Sequence, residues 1–60
     1  MTDSARIADW QRFYFAAQPS YKPHALHAVW RNDRALFPAV VKALGLTLAA
    51  LMEHMEVAHA

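Results

Sequence analysis

The hydrophobic positions in the first third of the chain recur with a helical period and predict a helix over residues 4–17. Thr2, Asp3 and Ser4 are all residues that cap helix N-termini, and Asp3 also suits the positive end of the helix dipole. The large apolar side chains of this segment spread over more than half of the helix circumference; they are Ile7, Trp10, Phe13, Tyr14 and Phe15. A surface helix normally has a narrower apolar stripe, so we expect this helix to be covered on two sides, by the rest of the chain or by another subunit.

Two prolines end this helix and begin the next one. Pro19 and Pro23 cannot both lie inside a helix, so they predict a break over residues 18–22 and a second helix from Pro23 to about residue 31. The polar pair Asn32 and Asp33 then ends the second helix. Its predicted apolar face consists of Leu26, Val29 and Trp30.

A glycine and a threonine divide the last third of the chain. A third helix is predicted from Pro38 to Gly45, because glycine is the usual residue just after a helix end. Thr47 is an N-cap type and predicts a last helix that runs to about Val57. The apolar positions also permit one continuous helix of about twenty residues from Pro38, since they stay on one side when the helix runs through Gly45. The stop-and-start chemistry of Gly45 and Thr47 favours two helices.

Length and composition limit the chain to one small helical domain, residues 1–60. A single glycine and the lack of an alternating pattern disfavour a β-sheet, and the lack of cysteine excludes disulfides and thiolate metal sites. Apolar residues make up 57% of the chain, but 13 of them are alanine, so the core that a chain this short can bury is small. We therefore predict an all-α fold of three to four short helices, completed by oligomerisation or by a partner.

The large aromatic residues form the candidate interface. A chain of 60 residues can hardly bury them all, and exposed apolar patches of that extent mark interfaces. The predicted interface residues are Trp10, Phe13, Tyr14, Phe15 and Trp30. Trp30 shares a helix face with Leu26 and Val29, so its replacement by alanine is predicted to cost about 3–5 kcal/mol of stability.

Positive charge is concentrated in the middle of the chain, where residues 11–46 carry a net charge of +4, against −1 for residues 1–10 and −2 for residues 47–60. On the second helix His24, His27 and Arg31 are spaced at i, i+3 and i+7 and share one face. Such a strip can bind phosphate or carboxylate, although an ordinary solvated helix face has the same pattern. The candidate anion- or nucleic-acid-binding residues are Lys22, His24, His27, Arg31 and Arg34.

No pattern of residues in the sequence indicates a catalytic site. Serine occurs only twice, cysteine is absent, and no motif pairs two carboxylates across a cleft. His24 and His27 with His54 and His59 offer four imidazoles, but the metalloprotease spacing of i and i+4 is missing. We expect no enzymatic activity, no metal and no cofactor.

Residues 35–52 are mostly apolar and about as long as a membrane span. Lys42 lies in the middle of this segment, Pro38 and Gly45 interrupt it, and Glu53 follows it, so a membrane role is disfavoured. The N-terminal residues are polar and do not form a signal peptide. We expect a cytoplasmic protein.

Residues 38–51 contain the third predicted helix, the Ala-Leu-Gly-Leu sequence at residues 43–46 and the start of the last helix at Thr47. This segment resembles the closing portion of Cro/C1-type helix-turn-helix domains, which is also found in some antitoxins. The resemblance implies that residues 18–22 are the turn and residues 23–31 the recognition helix, which would bring Lys22, His24, His27 and Arg31 to the major groove of DNA.

Two functions are therefore predicted. The first is a non-catalytic small helical interaction protein, an accessory subunit or regulator that docks on a larger protein partner or forms a homo-oligomer. The alternative is a helix-turn-helix-like DNA-binding regulator or antitoxin. The wide apolar face of the first helix favours the first, and the basic middle of the chain favours the second.

Overall fold

The computed structural model describes the backbone of residues 2–59 and the side chains of residues 2–56. Within this range the chain forms four α-helices and no strand, which confirms the predicted all-α class and the number of helices. Short 3₁₀ turns at Pro19–Tyr21 and Arg34–Leu36 lead into the second and third helices. The helices are α1 (Asp3–Ala16), α2 (Lys22–Asn32), α3 (Phe37–Leu44) and α4 (Leu48–His59).

The start of α1 is fixed by Thr2, one of the three residues that the sequence offers as N-caps. The Thr2 hydroxyl oxygen accepts a hydrogen bond from the backbone N–H of Ala5 at 3.2 Å. This bond satisfies one of the N–H groups that the first turn of a helix leaves without a partner. Asp3 lies in that first turn, where its carboxylate is close to the positive end of the helix dipole.

The predicted boundary between α3 and α4 is confirmed, and the alternative of one continuous helix is wrong. Gly45 has φ +72°, in the left-handed region that glycine adopts at little cost. Its backbone N–H donates a hydrogen bond to the carbonyl oxygen of Lys42. Two residues later the Thr47 hydroxyl oxygen accepts from the N–H of Ala50 at 3.1 Å. The chain therefore ends one helix and caps the next within three residues.

Helix α2 is the central element of the fold. Ala25, Leu26 and Val29 have no exposed surface, because α1, α3 and α4 all pack against this helix, and α4 does so most extensively. The remaining buried apolar side chains come from α1 and α3; they are Tyr14, Phe37, Val40 and Leu44. The face of α2 that holds Leu26 and Val29 is thus buried as predicted.

The mostly apolar residues 35–52 do not form a single element. They are divided among the end of the Arg34–Leu36 turn, helix α3 and the first turns of α4. In the part of the chain that the structure describes, no helix combines the length and the hydrophobicity needed to cross a membrane.

Candidate functional site

The five aromatic residues of the predicted interface do not form one surface. Phe13 and Phe15 are exposed but pack against different rings, Phe13 against Trp10 and Phe15 against Tyr14. Trp10 and Trp30 are half-buried against the core. Tyr14 is only 5% exposed. The structure thus divides the five residues between the core and separate exposed positions, and their role at an interface stays a prediction.

Tyr14 belongs to the core, where its contacts hold three helices together. Its hydroxyl group forms a 2.8 Å hydrogen bond with Nε2 of His54 on α4. Its backbone oxygen accepts a 2.9 Å bond from Nζ of Lys22 at the start of α2. Burial raises the pKa of the Tyr14 hydroxyl above its usual value. Because the Tyr14 side chain is buried and hydrogen-bonded within the fold, it is not accessible to a partner.

Three aromatic rings form a continuous surface, which we call the aromatic ridge: Trp10, Phe13 and Tyr21. The rings of Trp10 and Phe13 meet edge to face with centroids 5.7 Å apart, and those of Phe13 and Tyr21 do so at 6.5 Å. Phe13 is 41% exposed and Tyr21 is 51% exposed. Tyr21 was not among the predicted interface residues; the 3₁₀ turn that follows Pro19 brings it beside α1. The proline-bounded break was the only sequence signal for that position.

An open groove of about 350 Å³ lies beside the aromatic ridge. It is lined by Arg6, Asp9, Trp10, Phe13 and Asp33. The nearly buried carboxylate of Asp33 joins the two sides of this groove. Its Oδ1 forms an ion pair with the guanidinium of Arg6, and its Oδ2 accepts a 2.8 Å hydrogen bond from the indole N–H of Trp10. Sequence reasoning treated Asp33 only as a helix stop and missed this role.

A second ion pair, between Asp9 and Arg12 on α1, lies at the rim of the groove. Both side chains are largely exposed, and they stand at i and i+3 on the same helix. Exposed pairs of this kind contribute little to stability, since water solvates both charges and salt screens them. The Asp9 carboxylate is therefore open to competition from another cation.

The predicted cationic strip is only partly available to a ligand. Lys22 binds the carbonyl oxygen of Tyr14, and its ammonium lies 4.6 Å from the centre of the Tyr14 ring. The guanidinium of Arg34 lies 4.4 Å over the ring of Trp30. His24 and Arg31 are exposed, whereas His27 is half-buried. Lys22, Arg34 and His24 thus have contacts within the chain, the last with the ring of Tyr21.

Among the described side chains, the imidazoles considered as metal ligands do not form a metal site. His54 hydrogen-bonds Tyr14 and His24 packs beside the ring of Tyr21. The side chain of His59 lies outside the described residues. Among the described side chains no three of histidine, aspartate or glutamate are close enough to hold one ion.

Helix α4 carries a second exposed apolar patch that sequence reasoning did not single out. Leu48 and Met52 stand at i and i+4 and are both largely exposed. On the inner side of the same helix Leu51 and Met55 pack against the core. The patch is purely aliphatic, and no charged or aromatic contact accompanies it among the interactions of the described residues.

The aromatic ridge with its groove is the surface best suited to binding, because it combines exposed rings with charged groups at a fixed geometry. Asp33 pairs with Arg6 and Asp9 pairs with Arg12, so two ion pairs lie beside the exposed rings. Comparisons with known proteins add nothing to this description: no family model, no curated protein and no solved structure matches the chain.

Proposed function

We propose that the chain is a non-catalytic helical interaction protein that docks on a protein partner, either a larger protein or a second copy of itself, through the aromatic ridge. The observation that carries this proposal is the exposure of Phe13 and Tyr21, two adjacent aromatic side chains on a molecule with a very small core. Exposed aromatic side chains in contact with each other are enriched at protein interfaces, where their burial excludes water from a large apolar area.

The aromatic ridge is held in place before any partner arrives. Trp10 is fixed by the bond from its indole N–H to Asp33, and Phe13 packs against the fixed Trp10 ring. Tyr21 then packs against Phe13 from a turn that Pro19 makes rigid. Association therefore orders few additional side chains, and preorganisation of this kind increases affinity.

The small core explains why a partner would also stabilise the chain. The core of the described part of the chain consists of seven buried hydrophobic residues, with Pro23 buried beside them. A domain of this length obtains at most a few kcal/mol of stability from its own core. Each apolar side chain that an interface removes from water therefore adds a substantial fraction of the total stability. Partner binding shifts the folding equilibrium by mass action in the same direction.

Site-specific photo-crosslinking tests this proposal in the cell. A crosslinking phenylalanine analogue is placed at Phe13 or Tyr21, and the matched control places it at Ala39, which is exposed on α3. We expect one discrete crosslinked protein from positions 13 and 21 and none from position 39. The same adduct must then form between purified proteins. Equal crosslinking from all three positions, or none from the ridge, would contradict the proposal.

The DNA-binding alternative makes a different prediction for the same purified chain. Duplex DNA would be retarded at low salt, its affinity would fall steeply as salt is added, and Arg31→Ala would weaken it while Arg12→Ala on α1 would not. We expect no retardation, because Lys22 and Arg34 are engaged within the chain. Retardation that depends on Arg31 would favour the regulator over the docking protein.

A further inference from the structure

We propose that the groove beside the aromatic ridge binds an arginine side chain of the partner, stacked on the Trp10 and Phe13 rings and paired with the carboxylate of Asp9. This inference rests on the proposed docking function and specifies the chemistry that the partner presents there. It identifies the partner segment as a basic one, with an arginine that projects from the surface.

The walls of the groove suit the flat and weakly hydrated guanidinium group. The Trp10 and Phe13 rings both line the groove and meet at an interplanar angle of 71°, so a guanidinium that stacks on one ring lies beside the other. Arginine stacks on aromatic faces and covers apolar surface with its methylene stem. The chain already uses this contact elsewhere, where the guanidinium of Arg34 lies 4.4 Å over the Trp30 ring.

The two carboxylates of the groove differ in what they can offer a ligand. Both oxygens of Asp33 are used within the chain, Oδ1 by Arg6 and Oδ2 by Trp10, and this side chain is nearly buried. Asp9 contacts Arg12 through Oδ1 alone, and about half of its side chain is exposed. An incoming guanidinium can replace Arg12 at little cost, because the exposed pair contributes little.

The charge of the lining selects a cation over an anion. Two carboxylates, Asp9 and Asp33, face the groove with one guanidinium, that of Arg6. Arg12 balances this set while it pairs with Asp9, so a negative excess is present only once Arg12 is displaced. An incoming guanidinium would balance that excess, whereas a carboxylate or phosphate would add to it. Once Arg12 is displaced both oxygens of Asp9 are available, and the planar fork of arginine matches them better than the point charge of lysine does. The volume of about 350 Å³ is ample for one such side chain.

Nuclear magnetic resonance titration of the full chain with a synthetic probe tests the assignment. The probe is a capped tripeptide with arginine between two alanines, and its matched control carries citrulline, the neutral isostere of arginine. We expect the arginine peptide to shift the indole N–H resonance of Trp10 and the amide resonances of residues 9–13 in a saturable way. Citrulline should bind at least about fivefold more weakly, since it keeps the shape and loses the charge-assisted bond.

Variants separate the groove from nonspecific attraction. Asp9→Asn should weaken the arginine peptide about fivefold and leave the citrulline peptide unchanged. Glu53→Gln on α4 makes the same change of net charge far along the chain and should have no effect. Helicity by circular dichroism checks that both variants remain folded. Equal shifts with both peptides, equal effects of both variants, or no saturable shift would overturn the arginine assignment.

Failure of this inference is distinguishable from failure of the docking function. If crosslinks from positions 13 and 21 identify a partner but the arginine peptide does not bind, the ridge is an interface and the groove is not a cation site. If the peptide binds through Asp9 and no crosslink forms, the groove recognises a cation and the protein-docking proposal is wrong.

Discussion

Trp10 and Trp30 each pack edge to face against a phenylalanine, with ring centroids 5.7 Å apart for Trp10 and Phe13 and 5.0 Å apart for Trp30 and Phe37. An arginine accompanies each pair: Arg34 lies over Trp30, and Arg6 reaches Trp10 through the carboxylate of Asp33. The two Trp–Phe pairs therefore share residue types and ring geometry. We call Trp30 and Phe37 with Arg34 the closed corner, and Trp10 and Phe13 with Asp33 and Arg6 the open corner. They differ in burial, because Phe37 is 8% exposed and Phe13 is 41% exposed.

The difference comes from the position of each phenylalanine in its helix. Phe37 begins α3, where the chain turns back onto α2, and its ring is directed into the core. Phe13 precedes Tyr14, and successive residues of a helix point in different directions. Since Tyr14 takes the core position, Phe13 and Phe15 must face away from it. Whether an aromatic pair is buried or exposed thus depends on whether its position on the helix points toward the neighbouring helices or away from them.

The largest loss of stability is expected from a substitution in the closed corner. Trp30→Ala removes the ring that packs on Phe37 and on the core, and we expect a loss of about 3–5 kcal/mol. A chain of this length has a total stability of about 3–9 kcal/mol, so most of its helicity should disappear at room temperature. Circular dichroism measures the loss. A variant with unchanged helicity and melting temperature would show that Trp30 is a surface residue.

A smaller effect is expected at the support of the open corner. Asp33→Ala leaves the indole N–H of Trp10 and the guanidinium of Arg6 without their partner, which should cost about 1–3 kcal/mol. The Trp10 ring should also become mobile and the ridge less ordered. Urea unfolding gives the free energy, and tryptophan fluorescence reports the ring. Asp9→Ala is the control and should change stability by less than about 0.5 kcal/mol. Equal losses in the two variants would contradict the assigned role.

Arg34, the arginine of the closed corner, should contribute less to stability than Trp30 or Asp33. Arg34→Ala removes a guanidinium that lies 4.4 Å over the Trp30 ring in an exposed position, which should cost about 0.5–1 kcal/mol. Arg31→Ala on the neighbouring helix removes the same charge without that ring contact. Thermal unfolding at equal salt compares the two. A loss from Arg31→Ala as large as that from Arg34→Ala would show that net charge, and not stacking, matters here.

The smallest effect is expected at the exposed phenylalanine of the open corner. Phe13→Ala loses edge contacts with Trp10 and Tyr21, but alanine has the higher helix propensity, by about 0.5 kcal/mol, so the two terms nearly cancel. We expect the free energy of unfolding to change by less than about 0.5 kcal/mol, while partner binding falls at least about tenfold. Urea titration and a binding assay check the two parts. A variant that loses both equally would place Phe13 in the core.

The helices could be predicted from the sequence because their ends are chemically marked. Thr2, Pro19 and Gly45 fixed three boundaries through capping, ring geometry and the left-handed backbone, and each acts within a few residues. The observed helices begin or end within one or two residues of the predicted ones. Local interactions of this kind do not depend on where the helices later pack.

The site was less predictable because it depends on packing between distant segments. Nothing local to Asp33 indicates that its carboxylate will meet Arg6 and Trp10, which are more than twenty residues away. The wide apolar face of α1 was visible, but the period alone does not say which of residues 13, 14 and 15 faces the core. The cationic strip on α2 was predicted from residue spacing along that helix, whereas the contacts of Lys22 with Tyr14 and of Arg34 with Trp30 depend on neighbouring elements.

The packing of α2 against α4 has a consequence for the order in which the molecule is assembled. Of the four helices, α4 is the last to be synthesised, yet it covers α2 more extensively than any other helix does. Until residues 48–59 have been added, the part of α2 that α4 covers stays open to water, and the bond between Tyr14 and His54 cannot form. Folding of the domain therefore follows translation of its final helix, and a nascent chain that stops before Leu48 remains a substrate for chaperones and proteases.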